Sequence, residues 1–293
     1  MYSPPNSKTT MEIPFGAYFG AAVIFLLLVF LVWNHLRQRR LIRQLQELAA
    51  SLEQSRQQII QEQERNRQLK QEMTNNIAHE LKTPVSSIRG YLEILLGDKP
   101  VDDAKRRFFI ERCYSQTLRL SDLISDISLI NKLEESASLF PKEEISIASV
   151  AAEAVSELEE QCQTHRITVR NDLPSQMSIV GNHSLVYSIF RNLLENSIAY
   201  AGDGVEVGME CYKKDDDKYY IHFYDTGQGV DNSYLPKLFD RFLRIDEGRS
   251  RKSGGTGLGL SIVKHAVLFH GGDIYVRNRD AGGLEFFFSL RKK

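Results

Sequence analysis

A histidine on the polar side of a predicted helix is the first candidate for chemistry. Apolar residues recur every three or four positions from Ile77 to Leu95, which predicts an α-helix with one apolar face. At about 100° per residue, His79 lies roughly 200° from Ile77, outside the apolar stripe, and Thr83 follows on the side of His79 one turn later. An exposed imidazole beside the Glu80 carboxylate suits a nucleophile, because one ring nitrogen can attack while the carboxylate binds the other ring N–H.

From spacing alone, His79 could be a nucleophile or an inert surface residue, because most surface histidines take part in no reaction. Pro84 removes the helical N–H that would bond the carbonyl of Glu80, so a local kink is expected beside the imidazole. The ten residues 75–84, N-N-I-A-H-E-L-K-T-P, resemble the H-box of bacterial sensor histidine kinases. In that family the histidine is autophosphorylated, the next acidic residue acts as base, and the threonine helps water attack the phospho-aspartate of a partner. The resemblance implies these roles for His79, Glu80 and Thr83.

Two asparagines one helical turn apart are candidate metal ligands. Asn192 and Asn196 lie on one face of a predicted helix in R-N-L-L-E-N, residues 191–196, so both amide oxygens can reach one cation. Oxygen ligands and retained waters suit Mg²⁺, although an ordinary polar helix face has the same pattern. The run resembles the N-box of the same family, which implies that Asn192 and Asn196 hold Mg²⁺.

Three further segments resemble nucleotide-binding boxes of that family, in the same order. D-T-G-Q-G-V, residues 225–230, resembles the G1 box, in which the carboxylate accepts a hydrogen bond from the adenine amino group. L-F-D-R-F-L-R (238–244) resembles the F-box, and G-T-G-L-G-L (255–260) resembles the G2 box, which opens a helix whose amides favour phosphate oxygens. The implied ATP-binding residues are Asn192, Asn196, Tyr200, Asp225, Gly227, Gly229, Phe239, Arg241, Phe242, Arg244, Gly255, Thr256, Gly257, Leu258, Gly259 and Leu260.

Other nucleotide-binding motifs fit these glycines less well. A Rossmann fingerprint needs a strand directly before it, whereas residues 249–253 have the composition of a loop, and no P-loop pattern occurs. One departure from the resembled family is Ala199, where a lysine that contacts phosphate is frequent. Candidates to supply the missing charge are Arg241, Arg244, Arg251 and Lys252.

The N-terminal part of the sequence predicts a membrane anchor. Residues 13–33 carry no charge and are long enough, as a helix, to cross the ~30 Å hydrocarbon core of a bilayer. Four arginines follow within ten residues, whereas a single lysine precedes the run. The positive-inside rule therefore predicts a single-pass protein with residues 1–12 outside and the remainder in the cytoplasm. The resemblance implies that the membrane is the bacterial cytoplasmic membrane.

The helices and strands that must position the candidate residues define three further segments. Residues 34–72, rich in Gln, Glu, Arg and Leu, predict a parallel coiled-coil linker, although a single solvated helix has a similar composition. Residues 73–136 contain two amphipathic helices around G-D-K-P (97–100), a hairpin that would bury its apolar surface by pairing into a four-helix bundle. Residues 138–293 alternate short strands and helices, which predicts a mixed sheet covered by helices on one side.

The expected fold class is thus α+β and multidomain, and the resemblance implies that its C-terminal part is an α/β sandwich of the Bergerat, or GHKL, ATPase type. The predicted strands are 167–169, 177–180, 205–207, 219–224, 273–276 and 285–290, and the predicted helices of this part are 148–163, 183–200 and 259–270.

The resemblance, which covers about residues 70–291, implies a protein-histidine kinase. It would autophosphorylate His79 with Mg-ATP, transfer the phosphoryl group to the receiver domain of a separate response regulator, and also act as its phosphatase. The expected partners are a second copy of the chain, the cell membrane and a membrane sensor protein. A net charge of −1 predicts no nucleic-acid partner. The alternatives are a catalytically weak membrane adaptor or phosphatase-only homologue, and an ATP-driven conformational machine of the gyrase or Hsp90 kind.

Overall fold

The computed structural model describes residues 15–97, 100–135, 140–245 and 256–293. The side chains of residues 15–23, 66, 69, 134 and 135 lie outside that description. The chain divides into two compact units, Met1–Glu72 and Met73–Lys293.

The described part of the first unit is helical and belongs to helix α1, Phe15–Leu96. Among the side chains that the structure describes, no helix presents a stretch long and apolar enough to cross a membrane. Residues 1–12 and the first part of the predicted anchor, residues 13–23, lie outside those side chains. The predicted seam of the linker, including Leu45, Leu52 and Ile59, is exposed in the single chain, and the coiled coil stays a prediction.

The second unit begins with a helical hairpin. Helix α1 ends at Leu96, and helix α2 spans Asp103–Glu135, so the predicted pair of helices is confirmed. Asp102 accepts a hydrogen bond from the backbone N–H of Lys105 at 2.8 Å, which caps the start of α2. The rings of Tyr91 and Phe109 stack 5.6 Å apart and join the two helices near the turn.

An α/β domain follows the hairpin, as predicted. Its elements in chain order are β1 (Glu143–Ser146), α3 (Ile147–Glu157), α4 (Glu159–Thr164), β2 (Thr168–Asp172), β3 (Ser178–Gly181), α5 (His183–Tyr200), β4 (Glu206–Lys214), β5 (Lys218–Asp225), a 3-10 turn (Leu235–Lys237), α6 (Gly259–Phe269), β6 (Ile274–Asn278) and β7 (Leu284–Arg291). The five-stranded sheet has the order β2-β4-β5-β7-β6. β2 and β4 are parallel and the other neighbours antiparallel, which makes the sheet mixed, and β1 pairs with β3 separately.

The core lies between the sheet and its helices. Buried side chains of α3, α5 and α6 pack on one face of the sheet, and the rings of Phe190 and Phe288 meet there at 6.1 Å. The opposite face carries His222 stacked on Phe287 at 4.5 Å, with Tyr212 and Tyr275 exposed around them. One covered and one open face is the arrangement that the alternating pattern predicts.

The structure contains one strand that was not predicted, and it divides one predicted helix into two. Strand β1 was not predicted, because E-E-I-S contains one apolar residue, and its pairing with β3 supplies the rest of its stabilisation. The helix predicted over 148–163 is interrupted at Leu158, whose φ and ψ of −97° and 9° end α3 before α4 begins. Neither feature has a signal in the periodicity of the sequence.

Candidate functional site

His79 projects from α1 into solvent, with its side chain 78% exposed. Its Nδ1 lies 3.9 Å from Oε1 of Glu80, so the carboxylate faces this ring nitrogen. The Thr83 hydroxyl donates to the backbone carbonyl of His79 at 3.3 Å, across the turn that Pro84 follows. The helix thus brings together the imidazole, carboxylate and hydroxyl that the sequence singles out, and it turns Nδ1 rather than Nε2 toward the carboxylate.

Glu80 joins three parts of the unit. Its Oε2 lies 3.6 Å from Nη2 of Arg119 on α2 and 3.5 Å from Nη1 of Arg244, which follows the 3-10 turn of the α/β domain. The side chains of Glu80, Arg119 and Arg244 are each only 15–17% exposed. Burial, and then the charge of Arg244, lower the pKa of Arg119. Two guanidinium groups therefore share one carboxylate oxygen at a partly desolvated junction.

Asn192 and Asn196 lie half-buried on α5, one turn apart. The Asn192 amide nitrogen donates to the carbonyl of Ser188 at 2.8 Å, so its Oδ1 remains to accept or coordinate. This Oδ1 lies 2.6 Å from the point that a Cβ on Gly259 would occupy. A side chain at residue 259 would therefore clash with Asn192, and glycine lets the start of α6 approach this amide closely. Two amide oxygens on one helix face are a donor set that fits a hard cation such as Mg²⁺.

Asp225 ends β5 as a buried carboxylate. It accepts hydrogen bonds from the backbone N–H of Gly227 at 2.9 Å and of Leu284 at 3.3 Å. Burial raises the pKa of Asp225, and the two amides oppose that rise. Gly229 has a φ of +70°, and Asn278 accepts from Val230 N–H at 2.9 Å. The turn after the strand is thus held in one shape around the carboxylate.

Gly227 packs against the backbone of Ala201, so no side chain fits at residue 227. Tyr200 is exposed at the end of α5, next to that contact, and Ala199 precedes it in the same helix. The structure therefore brings the end of α5 to the turn after β5.

The segment that resembles the G2 box contacts the hairpin. Thr256 donates to Oδ2 of Asp126 on α2 at 2.9 Å and accepts from the N–H of Leu258 at 3.2 Å. Burial raises the pKa of Asp126, and its hydrogen bond to Thr256 opposes the rise. Gly257, with a φ of +73°, accepts from the N–H of Phe242 at 2.8 Å. The hydroxyl of Thr256 is thus used within the protein.

An apolar cluster extends this contact. Leu258 and Ile262 are buried against Leu123 and Ile130 of α2, with Phe242 packed at the edge. Leu260 instead packs, half-buried, on the core of the α/β domain. We call the cluster of Leu123, Ile130, Leu258 and Ile262 the docking cluster.

The remaining predicted residues divide between the core and the hairpin. Phe239 packs on Phe286, with ring centroids 6.4 Å apart. Arg241 donates from Nη1 to the sulfur of Met73 at 3.1 Å, and its Nη2 lies 3.3 Å from Nε2 of His265. Gly255, Arg251 and Lys252 lie outside the described residues.

Sequence reasoning missed Arg119 and Asp126. Both occupy the same face of α2 as Leu123 and Ile130, at the spacing i, i+4, i+7, i+11. Charged residues that interrupt an apolar stripe at this spacing are the signal that could have identified them. Asn278, which holds the turn after β5, carried no comparable signal.

Two family models match parts of the chain from residue 69 onward. Residues 69–136 match the model described as the His Kinase A (phospho-acceptor) domain. Residues 181–293 match the model of the histidine kinase-, DNA gyrase B-, and HSP90-like ATPases. The two matches cover the hairpin and most of the α/β domain, in the order in which the candidate residues occur.

Several proteins are similar along most of this chain. The sensor-like histidine kinase SenX3 of Mycolicibacterium smegmatis is 33% identical over 215 residues, 73% of this chain and 56% of its own length. The sensor histidine kinase WalK of Bacillus subtilis is 30% identical over 236 residues, 80% of this chain and 38% of its own. The phosphate regulon sensor protein PhoR of Pseudomonas aeruginosa is 34% identical over 209 residues, 69% and 46% of the two chains. The chain thus spans about half the length of these relatives or less.

Solved structures share the fold. Histidine kinase ThkA in complex with response regulator protein TrrA has a TM-score of 0.59 and 19% identity, over 76% of this chain and 61% of that chain. Acinetobacter baumannii histidine kinase AdeS has a TM-score of 0.56 and 18% identity, over 73% and 98% of the two chains. At these identities the likeness extends to the fold alone.

Proposed function

Because the chain belongs to the sensor histidine kinases of two-component systems, we propose that it phosphorylates His79 from ATP and passes the phosphoryl group to an aspartate of a separate response regulator. One observation carries this proposal: an exposed imidazole whose Nδ1 faces Glu80, on a hairpin that contacts the predicted nucleotide segments directly.

We assign different roles to the two ring nitrogens of His79 on the basis of the side that faces Glu80. In the proposed step Nδ1, which lies 3.9 Å from Oε1 of Glu80, carries the ring proton, and the lone pair of Nε2 attacks the γ-phosphorus of ATP. The Nε2–P bond forms as the bond to the β,γ-bridging oxygen breaks, and ADP leaves with that electron pair. The positive charge that develops on the imidazole is balanced by the Glu80 carboxylate, which accepts the Nδ1 proton. Phosphoryl transfer of this kind depends mainly on positioning and charge neutralisation.

The α/β domain would supply the nucleotide site. Asp225 is held by two backbone amides and retains acceptor capacity for an adenine amino group. Asn192 and Asn196 would hold Mg²⁺ with their amide oxygens, and the bound ion would neutralise charge on the phosphate oxygens. The amides at the start of α6 can then face phosphate.

We also propose that the chain is anchored in the bacterial cytoplasmic membrane by residues 13–33 and works as a homodimer with a membrane sensor protein as a further partner. The support for an anchor is the uncharged run, in which Ile24–Trp33 are 49–67% exposed. Support for pairing comes from Val85, Leu92 and Ile124, apolar residues of the hairpin that stay exposed in the single chain. A second copy would cover them in a four-helix bundle. Washing membranes at high pH tests the anchor, since an integral span stays in the pellet.

The test of the kinase uses the full chain in detergent or vesicles, with γ-labelled ATP and Mg²⁺. Wild type should gain label that acid removes and alkali does not, as expected of phosphohistidine. His79→Gln and Asn196→Ala should gain none. Nucleotide binding without label in wild type would overturn the kinase proposal and favour an adaptor or a phosphatase that acts through Thr83.

A further inference from the structure

We propose that Arg119 is a positioning residue, which fixes Glu80 in the orientation that serves His79 while Arg244 exchanges Glu80 for the phosphates of ATP. This inference rests on the proposed kinase function. It concerns a residue of α2 that lies outside every motif singled out in the sequence.

The two oxygens of Glu80 have different surroundings. Oε2 lies 3.6 Å from Arg119 and 3.5 Å from Arg244, whereas Oε1 lies 3.9 Å from Nδ1 of His79. A glutamate has three rotatable side-chain bonds, so a free carboxylate would spread over many orientations. Holding Oε2 on the α2 side leaves Oε1 as the oxygen that faces the imidazole.

The two arginines differ in what they belong to. Glu80 and Arg119 lie on the two helices of one hairpin, so a movement of the α/β domain does not require their contact to break. Arg244 belongs to the α/β domain, in the segment that the sequence predicts to reach phosphate. Because Glu80 and the phosphates of ATP would compete for the same guanidinium, we expect nucleotide binding to draw Arg244 away from Glu80 and leave Arg119 in place.

Charge favours that exchange. Two guanidinium groups within about 4 Å of one oxygen repel each other, more strongly where solvent is partly excluded. The departure of Arg244 relieves this repulsion and places its charge where the phosphates need it. Arg119 then remains as the cation that orients Glu80 through the chemical step.

The test compares autophosphorylation by the full chain carrying Arg119→Gln, Arg119→Lys or the control Arg107→Gln. Arg107 lies on the same helix and pairs with Glu111 in solvent. Arg119→Gln should lower kcat about 10- to 100-fold with KM for ATP changed less than about twofold, because misplacement of a catalytic group affects the chemical step. Arg119→Lys should recover part of the rate, and Arg107→Gln should match wild type.

A double variant separates positioning from a merely structural role. If Arg119 acts through Glu80, adding Arg119→Gln to Glu80→Gln should cause little further loss of kcat. Wild-type kcat in Arg119→Gln, or fully additive losses in the double variant, would overturn the inference while wild-type labelling leaves the kinase proposal intact. Absence of label from wild type would instead overturn the proposed function. Unchanged thermal melting and ADP binding identify variants that fold.

Discussion

Docking of the α/β domain on the hairpin should weaken sharply when Ile130 is shortened to alanine. Ile130 is fully buried, and its contacts in the docking cluster include Leu258 and Ile262 of the α/β domain. When the two parts separate, the same side chain is left without those neighbours. The truncation therefore penalises the docked arrangement more than the separated one.

The magnitude follows from the burial of Ile130. Truncating a buried isoleucine to alanine costs about 2–5 kcal/mol, and complete burial of such a side chain contributes about 1.5–3 kcal/mol. A loss near 2–3 kcal/mol is expected at this edge of the interface. Since 1.4 kcal/mol is a factor of ten, the ratio of docked to separated molecules should fall about 30- to 150-fold.

Hydrogen exchange measures this change directly. The backbone amides of Leu258, which donates to the Thr256 hydroxyl, and of Ile262, which donates to the Leu258 carbonyl, should exchange faster in Ile130→Ala than in wild type, by a factor of that order. Arg107→Ala is the control, because Arg107 lies on the same helix about 35 Å away and its side chain is 83% exposed. Equal protection of α6 in wild type and Ile130→Ala would refute the view that these apolar contacts hold the parts together.

Three further predictions concern single contacts. Asp225→Asn should weaken ATP binding at least about tenfold. Because burial raises the pKa of Asp225, the folding stability of wild type should fall as pH rises toward and through that raised pKa. Thermal melting of Asp225→Asn over the same pH range should show no such fall. Burial also raises the pKa of Asp126, so docking should be strongest in acid and weaken as pH rises, and energy transfer between dyes on the two parts should lose this dependence in Asp126→Asn. Gly283→Ala should lower the free energy of unfolding, measured with urea, by about 3 kcal/mol or more, because its Cβ would lie 2.0 Å from the carbonyl oxygen of Asp225. Gly202→Ala is the control: Gly202 has a similar positive φ but open space around it, so the loss should be only about 1 kcal/mol.

Much of the fold could be predicted because the spacing of apolar residues and the positions of helix-breaking residues agree with the observed helices and strands. The hairpin follows from apolar residues at helical spacing on both sides of Gly97, and the last strand from the run of phenylalanines that β7 buries. Strand β4 extends to Lys214, beyond the predicted strand 205–207. The prediction ended too early because the second half of the strand is polar. Its partner β5 stabilises that half by pairing, which an apolar pattern does not record.

The site could be predicted only one residue at a time. His79 and Asp225 stand in recognisable local sequences, so their candidacy needed no knowledge of the tertiary structure. The pairing of Glu80 with Arg119 and Arg244 depends on how two separate helices and a loop meet, and no short-range pattern specifies that. The same holds for Thr256 and Asp126, which are 130 residues apart in the chain.

The proline inside α1 has a mechanical consequence. Because Pro84 has no N–H, the carbonyl of Glu80 lacks its helical donor, so the helix lacks the backbone hydrogen bond between residues 80 and 84, next to His79. Bending an intact helix must stretch a hydrogen bond, at a cost on the order of 1 kcal/mol. Bending between Glu80 and Pro84 stretches no such bond. Helix α1 should therefore bend most easily beside the His79 imidazole. A small bend, made at low energy, would tilt His79 without unwinding the helix on either side.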